Sequence, residues 1–400
     1  MALPMNHWML NIIFGIVCAY DITHVAASNA EVYTANAVEA IKTLNDWYSV
    51  STGLWENAWW NSANALTTIA DFASLRLDEA NKLNIGGFIR NTFAQAQKTN
   101  VLRSSFPPVS DVVSNIRNLT LGSGCTPEGN RLGKRGFGQF LNDYYDDEGW
   151  WALGLIRSYD VSGEEKYLAA AVNIFKDMQT GGETPCRGGI FWSKDRHYVN
   201  AIANELYLSV AASLARRVPE NNTYRPLAIA QWRWFEKSGL INAKGLINDG
   251  LNGNCMNNGL QTWSYNQGVV LGGLTELFLL TLDTQYLERA TEIAKVAIKA
   301  LSDKNGILTE TDKCETEVGR CRPTSQQFKG VFVRNLGYLY RATPLQEFRD
   351  FIFRNADSIW TRDRNDKNQL GVAWAGDYTD ATASTQSSAL DVLIAAIAVA

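Results

Sequence analysis

Long helices that are apolar on every face alternate along this chain with helices that are apolar on one face only. Ala201 to Leu214 and Val269 to Leu282 are nearly continuously apolar, which is typical of helices buried on all sides. Pro226 to Lys237 and Tyr286 to Leu301 carry charges along one face, which is typical of helices that lie between a core and solvent. This alternation requires two layers of helices, with the apolar helices inside.

Each apolar helix follows a short lead-in that is rich in aromatic and amide side chains, and the unit repeats along the chain. The lead-ins begin near Trp59, Asp146, Tyr198, Trp263, Phe328 and Ser384. Six buried helices wrapped by six amphipathic ones predict an all-α fold, an (α/α)6 barrel. The competing arrangement is an open helical solenoid, but six unequal repeats without polar end caps favour closure.

In a closed barrel the lead-ins meet at one end and form a polar, aromatic cleft. The cleft residues predicted on this basis are Trp59, Asn61, Tyr145, Asn200, Asn204, Glu205, Trp263, Tyr265, Asn266, Gln267, Lys329 and Trp374. Trp and Tyr combine a flat apolar face with a polar edge, which suits contact with sugar rings, although most such residues in any protein are simply core.

The densest cluster of acids is the segment from Asp143 to Trp151, which contains the adjacent pair Asp146 and Asp147. Helix capping explains one or two acids in a first turn, but not their aromatic setting. Glycoside hydrolysis requires one protonated acid and one carboxylate, about 5 Å apart in the retaining mechanism. The pair is therefore predicted to be catalytic, with Glu205 and Asp249 as the alternative carboxylates.

This chain has few of the residues that commonly bind metals or carry out histidine-dependent catalysis. His197 is the only histidine after residue 27, so neither a His-based metal site nor a Ser-His-Asp triad is predicted. The net charge is −4, and Lys and Arg are scattered rather than clustered, which argues against nucleic acid as a partner. A neutral substrate, no metal, no cofactor, no transmembrane segment and a monomeric chain are expected.

Several features predict secretion. Trp8 to Tyr20 is a short apolar run followed by the small-residue site Val25-Ala26-Ala27, so residues 1–27 are predicted to be a signal peptide and residues 28–400 the catalytic domain. A buried first helix is the alternative. Cys186, Cys255, Cys314 and Cys321 are predicted to form two disulfides, with the pairing open and Cys125 left over. Asn118 and Asn221 begin glycosylation sequons.

The segment from Tyr144 to Leu153 resembles glycoside hydrolase family 76, the fungal and bacterial endo-α-1,6-mannanases. Similar motifs follow in the expected order at Gly188 to Trp192, Asn200 to Leu206, Gly245 to Gly250, Thr262 to Gly268 and Gln327 to Phe332. Ser264 stands where the family pattern commonly has Thr.

The resemblance implies an (α/α)6 barrel, a retaining mechanism and an α-1,6-mannan substrate. It assigns Asp146 as nucleophile and Asp147 as acid/base, and it places glycan contacts on the lead-in residues and on Asp249. A secreted mannan endo-1,6-α-mannosidase is therefore the leading hypothesis, with association with the cell wall as a further expectation. The alternatives are a wall transglycosidase acting on mannose-containing glycolipid anchors and an inactive carbohydrate-binding barrel.

Overall fold

The computed structural model describes residues 29–98, 139–316 and 321–400. Its helices are, in chain order, α1 (29–45), α2 (Trp59–Leu75), α3 (Leu77–Lys82), α4 (Ile85–Ala96), α5 (Tyr145–Ser162), α6 (Glu165–Met178), α7 (Ala201–Arg217), α8 (Tyr224–Lys237), α9 (Ser264–Thr281), α10 (Gln285–Leu301), α11 (Phe328–Ala342), α12 (Gln346–Arg362) and α13 (Ala383–Val399). A two-stranded antiparallel hairpin, β1 (Tyr48–Ser49) and β2 (Leu54–Trp55), precedes α2. The predicted signal peptide, Asn118 and Cys125 lie outside the described residues.

Six of the described helices form a closed inner ring. Along the ring, α2 packs against α5, α5 against α7, α7 against α9, α9 against α11 and α11 against α13, and α13 returns to α2. The other long helices pack outside this ring, for example α6 on α5 and α10 on α9. The predicted (α/α)6 barrel is confirmed, and the open solenoid is wrong because the last inner helix contacts the first.

Burial separates the two layers as the apolar pattern predicts. Every residue from 201 to 215 in α7 is buried, whereas α10 buries a single stripe, spaced three to four residues apart. At two points the inner helices approach so closely that no side chain fits between them. A Cβ on Gly268 of α9 would lie 2.5 Å from the Cα of Phe332 in α11, and one on Gly330 of α11 would overlap the backbone of Ser388 in α13.

Amide side chains near the start of the inner helices hold the preceding loops in place. The Asn204 side chain accepts a hydrogen bond from the Ile190 N–H at 2.7 Å and donates one to its C=O at 2.9 Å. Gln267 does the same for Ile247, at 2.9 and 2.8 Å. Because these backbone groups are buried, each would otherwise be left without a partner. The loops at this end of the barrel are thereby held by side chains of the inner ring.

Two disulfides join loops of the described chain. Cys186 bonds to Cys255, and Cys314 bonds to Cys321, so the four predicted cysteines are paired as two bonds. Disulfides of this kind persist in oxidising compartments. No helix in the described ranges combines the length and apolarity needed to cross a bilayer.

Candidate active site

Asp146 and Asp147 lie side by side in the first turn of α5, each half-buried at the end of the barrel where the inner helices begin. Asn142, just before the helix, donates from its side-chain Nδ2 to Asp147 Oδ2 at 2.6 Å. Its own Oδ1 accepts the Tyr144 N–H at 2.8 Å. One loop residue therefore positions both the backbone that enters the helix and the carboxylate of Asp147.

The two carboxyl groups differ in acidity. Burial, with a smaller contribution from the charge of Asp249, raises the pKa of Asp146 to about 6, although the Trp192 indole and the backbone N–H groups of residues 146 and 147 favour the ionised form. Burial also raises the pKa of Asp147 well above its usual range, and the neighbouring charge of Asp146 adds to the effect, with Asn142 opposing it. Both carboxyl groups therefore keep a proton to higher pH than a free aspartate does, and the charge of Asp146 makes Asp147 the weaker acid.

The third acid of this turn, Glu148, has a different role. Its side chain is fully buried and accepts hydrogen bonds from the Asn142 N–H at 2.9 Å and from Lys194 Nζ at 2.8 Å. Lys194 also pairs with Asp177 at 2.8 Å. Glu148 thus ties the start of α5 to the neighbouring loops and does not face the cleft.

A third carboxylate, Asp249, lies close enough to Asp146 for its charge to affect that residue's pKa. Tyr198 donates its hydroxyl to Asp249 Oδ2 at 2.5 Å, and the Trp263 indole also donates to this carboxylate. Burial raises the pKa of Asp249, and the two donors oppose the increase. The Asp249 carboxylate is therefore half-buried, hydrogen-bonded by two side chains and beside the acid pair.

Aromatic rings form a continuous row across this end of the barrel. The ring centroids of Trp60 and Trp150 are 6.2 Å apart, and those of Trp150 and Tyr265 are 6.5 Å apart. Tyr265 stacks on Phe328 at 3.8 Å, with the ring planes 10° apart. The row joins α2, α5, α9 and α11. Trp150 and Phe328 are buried, whereas Trp60 and Tyr265 are half-buried.

Of the predicted cleft residues, the structure brings Asp249, Trp263 and Tyr265 together with the acid pair. The pKa of Tyr265 is raised by burial and by the charges of Asp249, Asp146 and Glu205, which places its hydroxyl among these acids. Asn61 is half-buried near the same end, where its side chain donates to Gln327 at 3.0 Å.

Other predicted cleft residues form hydrogen bonds within the protein. The Trp59 indole donates to Ala96 C=O at 3.3 Å, and the Tyr145 hydroxyl bonds to the Thr180 hydroxyl at 3.0 Å. Asn200 caps α7 by accepting the Ala203 N–H at 3.2 Å. Together with Asn204 and Gln267, which hold loops, these side chains are occupied by protein partners.

Four further predicted residues lie in the protein interior. Lys329 is 1% exposed, pairs with Glu315 at 2.7 Å and lies 4.2 Å above the ring of buried Trp374. Glu205 and Asn266 are fully buried, and their side-chain atoms have no hydrogen-bond partner within the described residues. All four side chains are therefore enclosed by the protein.

Asn142, Trp192 and Tyr198 were not among the predicted contacts. Trp192 and Tyr198 lie in or beside motifs noted in the sequence, so their residue types and positions could have identified them as site residues. Asn142 carries none, because an Asn before an acidic run is indistinguishable from an ordinary turn residue. In the described ranges, no group of three or more His, Cys, Asp or Glu side chains is arranged to hold a metal ion.

Comparison with solved structures shows the same fold. The GH76A alpha-1,6-mannanase from Salegentibacter sp. HEL1_6, solved as an inactive variant in complex with alpha-1,6-mannotetrose, matches with a TM-score of 0.70 and 18% identity over 91% of this chain and 98% of that one. Dfg5 from Chaetomium thermophilum, in complex with glucosamine, matches with a TM-score of 0.69 and 18% identity over 92% of this chain and 90% of that one.

Sequence comparison finds fungal relatives. Mannan endo-1,6-alpha-mannosidase DFG5 of Candida albicans is 26% identical over 281 residues, covering 65% of this chain and 62% of the relative. DFG5 of Saccharomyces cerevisiae is 26% identical over 272 residues, covering 62% and 58%. The chain thus spans about three-fifths of the length of these relatives. The model of glycosyl hydrolase family 76 matches residues 136–400. The chain belongs to glycosyl hydrolase family 76.

Proposed function

We propose that this protein hydrolyses α-1,6-mannosidic linkages inside mannan chains by a retaining double displacement. The observation that carries the proposal is the pair of adjacent, half-buried carboxyl groups with unequal acidity, Asp146 and Asp147. Such a pair supplies an ionised nucleophile and a protonated acid at the same pH.

In the first step, the ionised carboxylate of Asp146 attacks the anomeric carbon of the mannosyl unit. The bond from that carbon to the bridging oxygen breaks, and Asp147 donates its proton to this oxygen, so that the next sugar leaves with a hydroxyl group. The product on the protein is a mannosyl ester of Asp146. The lower pKa of Asp146 and the higher pKa of Asp147 match these two roles.

In the second step, Asp147, now ionised, takes a proton from water while the water oxygen attacks the same anomeric carbon. The ester bond breaks, Asp146 regains its carboxylate and Asp147 its proton, and the anomeric configuration is retained after two inversions. Asp249 lies beside the pair and is a ligand for sugar hydroxyl groups. The half-buried rings of Trp60 and Tyr265 support the apolar faces of the sugars.

The named relatives support this substrate. The Salegentibacter mannanase was made inactive by replacing two consecutive aspartates and was then captured with an α-1,6-mannan oligosaccharide. The fungal relatives are named mannan endo-1,6-alpha-mannosidases. An inner-helix start with two adjacent aspartates in this chain is consistent with the same chemistry.

We also propose that the protein is secreted and acts at or near a cell wall. Two disulfides fit an oxidising compartment. Expression of the full chain in a fungal host tests this, because a cleaved signal peptide would leave secreted protein that begins at Ser28. Retention of the full chain inside the cell would contradict it. The monomeric state and the sugar at Asn221 stay predictions.

Substitution of the acid pair tests the activity. Asp146→Asn and Asp147→Asn should each lower kcat on α-1,6-mannan by at least about 10³-fold, because each removes a group that acts only in the transition state. Asp143→Asn, three residues earlier, is the matched control and should stay within about twofold of the parent protein. Activity that survives in either variant of the pair would refute the assignment.

Product analysis separates hydrolysis from its alternatives. Incubation with α-1,6-mannan should release short mannooligosaccharides with retained anomeric configuration. A wall transglycosidase would instead transfer the cleaved chain to an added acceptor sugar and release little free product. An inactive binding barrel would bind mannooligosaccharides without releasing any. Either of the last two results would replace the hydrolase proposal.

A further inference from the structure

Two loops at the active-site end of the barrel are joined by the disulfide between Cys186 and Cys255. The first loop leads into α7 and carries Trp192 and Tyr198. The second precedes α9 and carries Asn258. The two bonded cysteines are 69 residues apart in sequence. Both loops contact groups of the proposed active site.

The first loop connects the acid pair with Asp249. The Tyr145 N–H, adjacent to Asp146, donates to the Trp192 C=O at 2.9 Å, and the Trp192 N–H donates to the Tyr198 C=O at 2.7 Å. The Tyr198 hydroxyl then donates to Asp249 Oδ2 at 2.5 Å. Hydrogen bonds through the backbone of Trp192 and through the backbone and side chain of Tyr198 therefore link the start of α5 to the third carboxylate.

The second loop holds Tyr198 from the other side. Asn258 donates from Nδ2 to the Tyr198 hydroxyl oxygen at 2.9 Å, which leaves the hydroxyl proton for Asp249. The space around the ring is tight, because a Cβ on Gly250 would overlap the Tyr198 hydroxyl. Tyr198 has therefore little freedom to point elsewhere. Besides Tyr198, Asp249 faces the Trp263 indole, the charge of Asp146 and the Tyr265 hydroxyl.

We propose that Tyr198 and Asn258 are positioning residues, which hold Asp249 at a set distance from the acid pair, and that the Cys186–Cys255 disulfide keeps their two loops in register. The functional part of this inference rests on the proposed mannanase activity. A donor that is fixed by its own partner loses less freedom when it bonds, so it holds the carboxylate more firmly than water would. Tyr198 and Asn258 act through Asp249 and take no part in bond breaking.

The first test needs no substrate. The pKa of Asp249 is measured in the free protein by carboxyl-carbon NMR titration. Tyr198→Phe should raise it, because loss of a donor to the carboxylate favours the protonated form. Removal of the Cys186–Cys255 bond by Cys186→Ala/Cys255→Ala should raise it in the same direction. The matched control, Cys314→Ala/Cys321→Ala, removes the other disulfide and should leave it unchanged. An unchanged pKa in Tyr198→Phe would overturn the proposal.

The second test is a double-mutant cycle on turnover. Tyr198→Phe should lower kcat/KM by about tenfold or more in the parent protein, the usual effect of losing a hydrogen bond to a charged group. In an Asp249→Asn background the same change should cost less than about twofold, because its target has been neutralised. Equal losses in both backgrounds would show that Tyr198 acts independently of Asp249 and would overturn the proposal. Should Tyr198→Phe fold poorly, Asn258→Ala takes its place in both tests.

The two tests separate this inference from the proposed activity. A parent protein that does not cleave α-1,6-mannan, but whose Asp249 pKa rises in Tyr198→Phe, refutes the substrate and leaves the positioning role. If the parent protein cleaves mannan but Tyr198→Phe leaves the Asp249 pKa unchanged and lowers turnover equally in both backgrounds, the positioning role is refuted and the substrate stands.

Discussion

For single residues, the proposed chemistry depends on two aspartates with different acidity in one helical turn. Their neighbours explain the difference, since Asp146 faces an indole and free backbone N–H groups, whereas Asp147 faces the charge of Asp146 and one amide. The sequence predicts the pair from its aromatic setting. It does not predict the order of acidity, because that depends on the hydrogen bond from Asn142 and on Trp192 and Asp249, which the fold brings near.

The pH dependence of turnover follows from this order. Asp146 must be ionised to attack, so kcat/KM should rise with pH through about 6, the pKa to which burial brings this group. It should fall again where Asp147 loses its proton. Asn142→Ala removes the 2.6 Å donor that favours ionised Asp147, so the upper limb should move to higher pH while the lower limb stays near 6. Steady-state kinetics across pH measures both limbs, and an upper limb that moves down would contradict the assignment.

The raised pKa of Asp147 predicts that this residue lowers the stability of the folded protein at neutral pH. Because the pKa of Asp147 is raised in the folded protein, folding favours its protonated form, and this contribution is lost as pH rises from the ordinary carboxyl range through the folded pKa. Asp147→Asn should therefore raise the melting temperature at pH 7 and have little effect at pH 4. Thermal unfolding at the two pH values checks this. A lower melting temperature at pH 7 would show that the ionised carboxylate is stabilised by the fold.

At the scale of elements, the apolar pattern predicts which helices are inside, but it does not predict what the polar residues on them do. Asn204 and Gln267 stand in the lead-in motifs, where an amide looks the same whether it binds a sugar or a loop. The structure shows both bonded to buried backbone groups. Sequence periodicity cannot separate these roles because both place an amide one turn into an inner helix.

Gln267→Met tests the structural role. It keeps the approximate shape of the side chain and leaves the Ile247 N–H and C=O without partners. The free energy of unfolding should therefore fall by about 2–6 kcal/mol, from about 1–3 for each of the two buried groups. Gln285→Met, at the exposed start of α10, is the control and should change it by less than about 0.5 kcal/mol. Urea unfolding measures both, and equal effects would contradict the role.

At the scale of the whole molecule, the ring closes because α13 packs between α11 and α2. The six lead-ins predict the number and order of inner helices, since each begins within a few residues of a helix start. The hairpin before α2 and the amide links between loops and helices carry no comparable signal. They follow from contacts between residues that are distant in sequence.

Gly330 tests the closure. Its missing side chain lets α11 approach the backbone of Ser388 in α13, so Gly330→Ala should lower the free energy of unfolding by about 1–3 kcal/mol or more, as overpacking in a core does. Gly253→Ala, where a Cβ meets nothing within 4 Å, should have little effect. Denaturant unfolding of both variants compares them directly. A Gly330→Ala protein as stable as Gly253→Ala would show that the ring tolerates a wider spacing at this contact.

The central claim is that Asp146 forms a covalent bond to mannose. A slow mannosyl fluoride inactivator traps this ester, and mass spectrometry of the digested protein identifies the residue that carries the sugar. We expect one mannosyl unit on Asp146, and none when Asp146 is replaced by Asn. A label on Asp147 or Asp249, or turnover of mannan without any trapped ester, would contradict it.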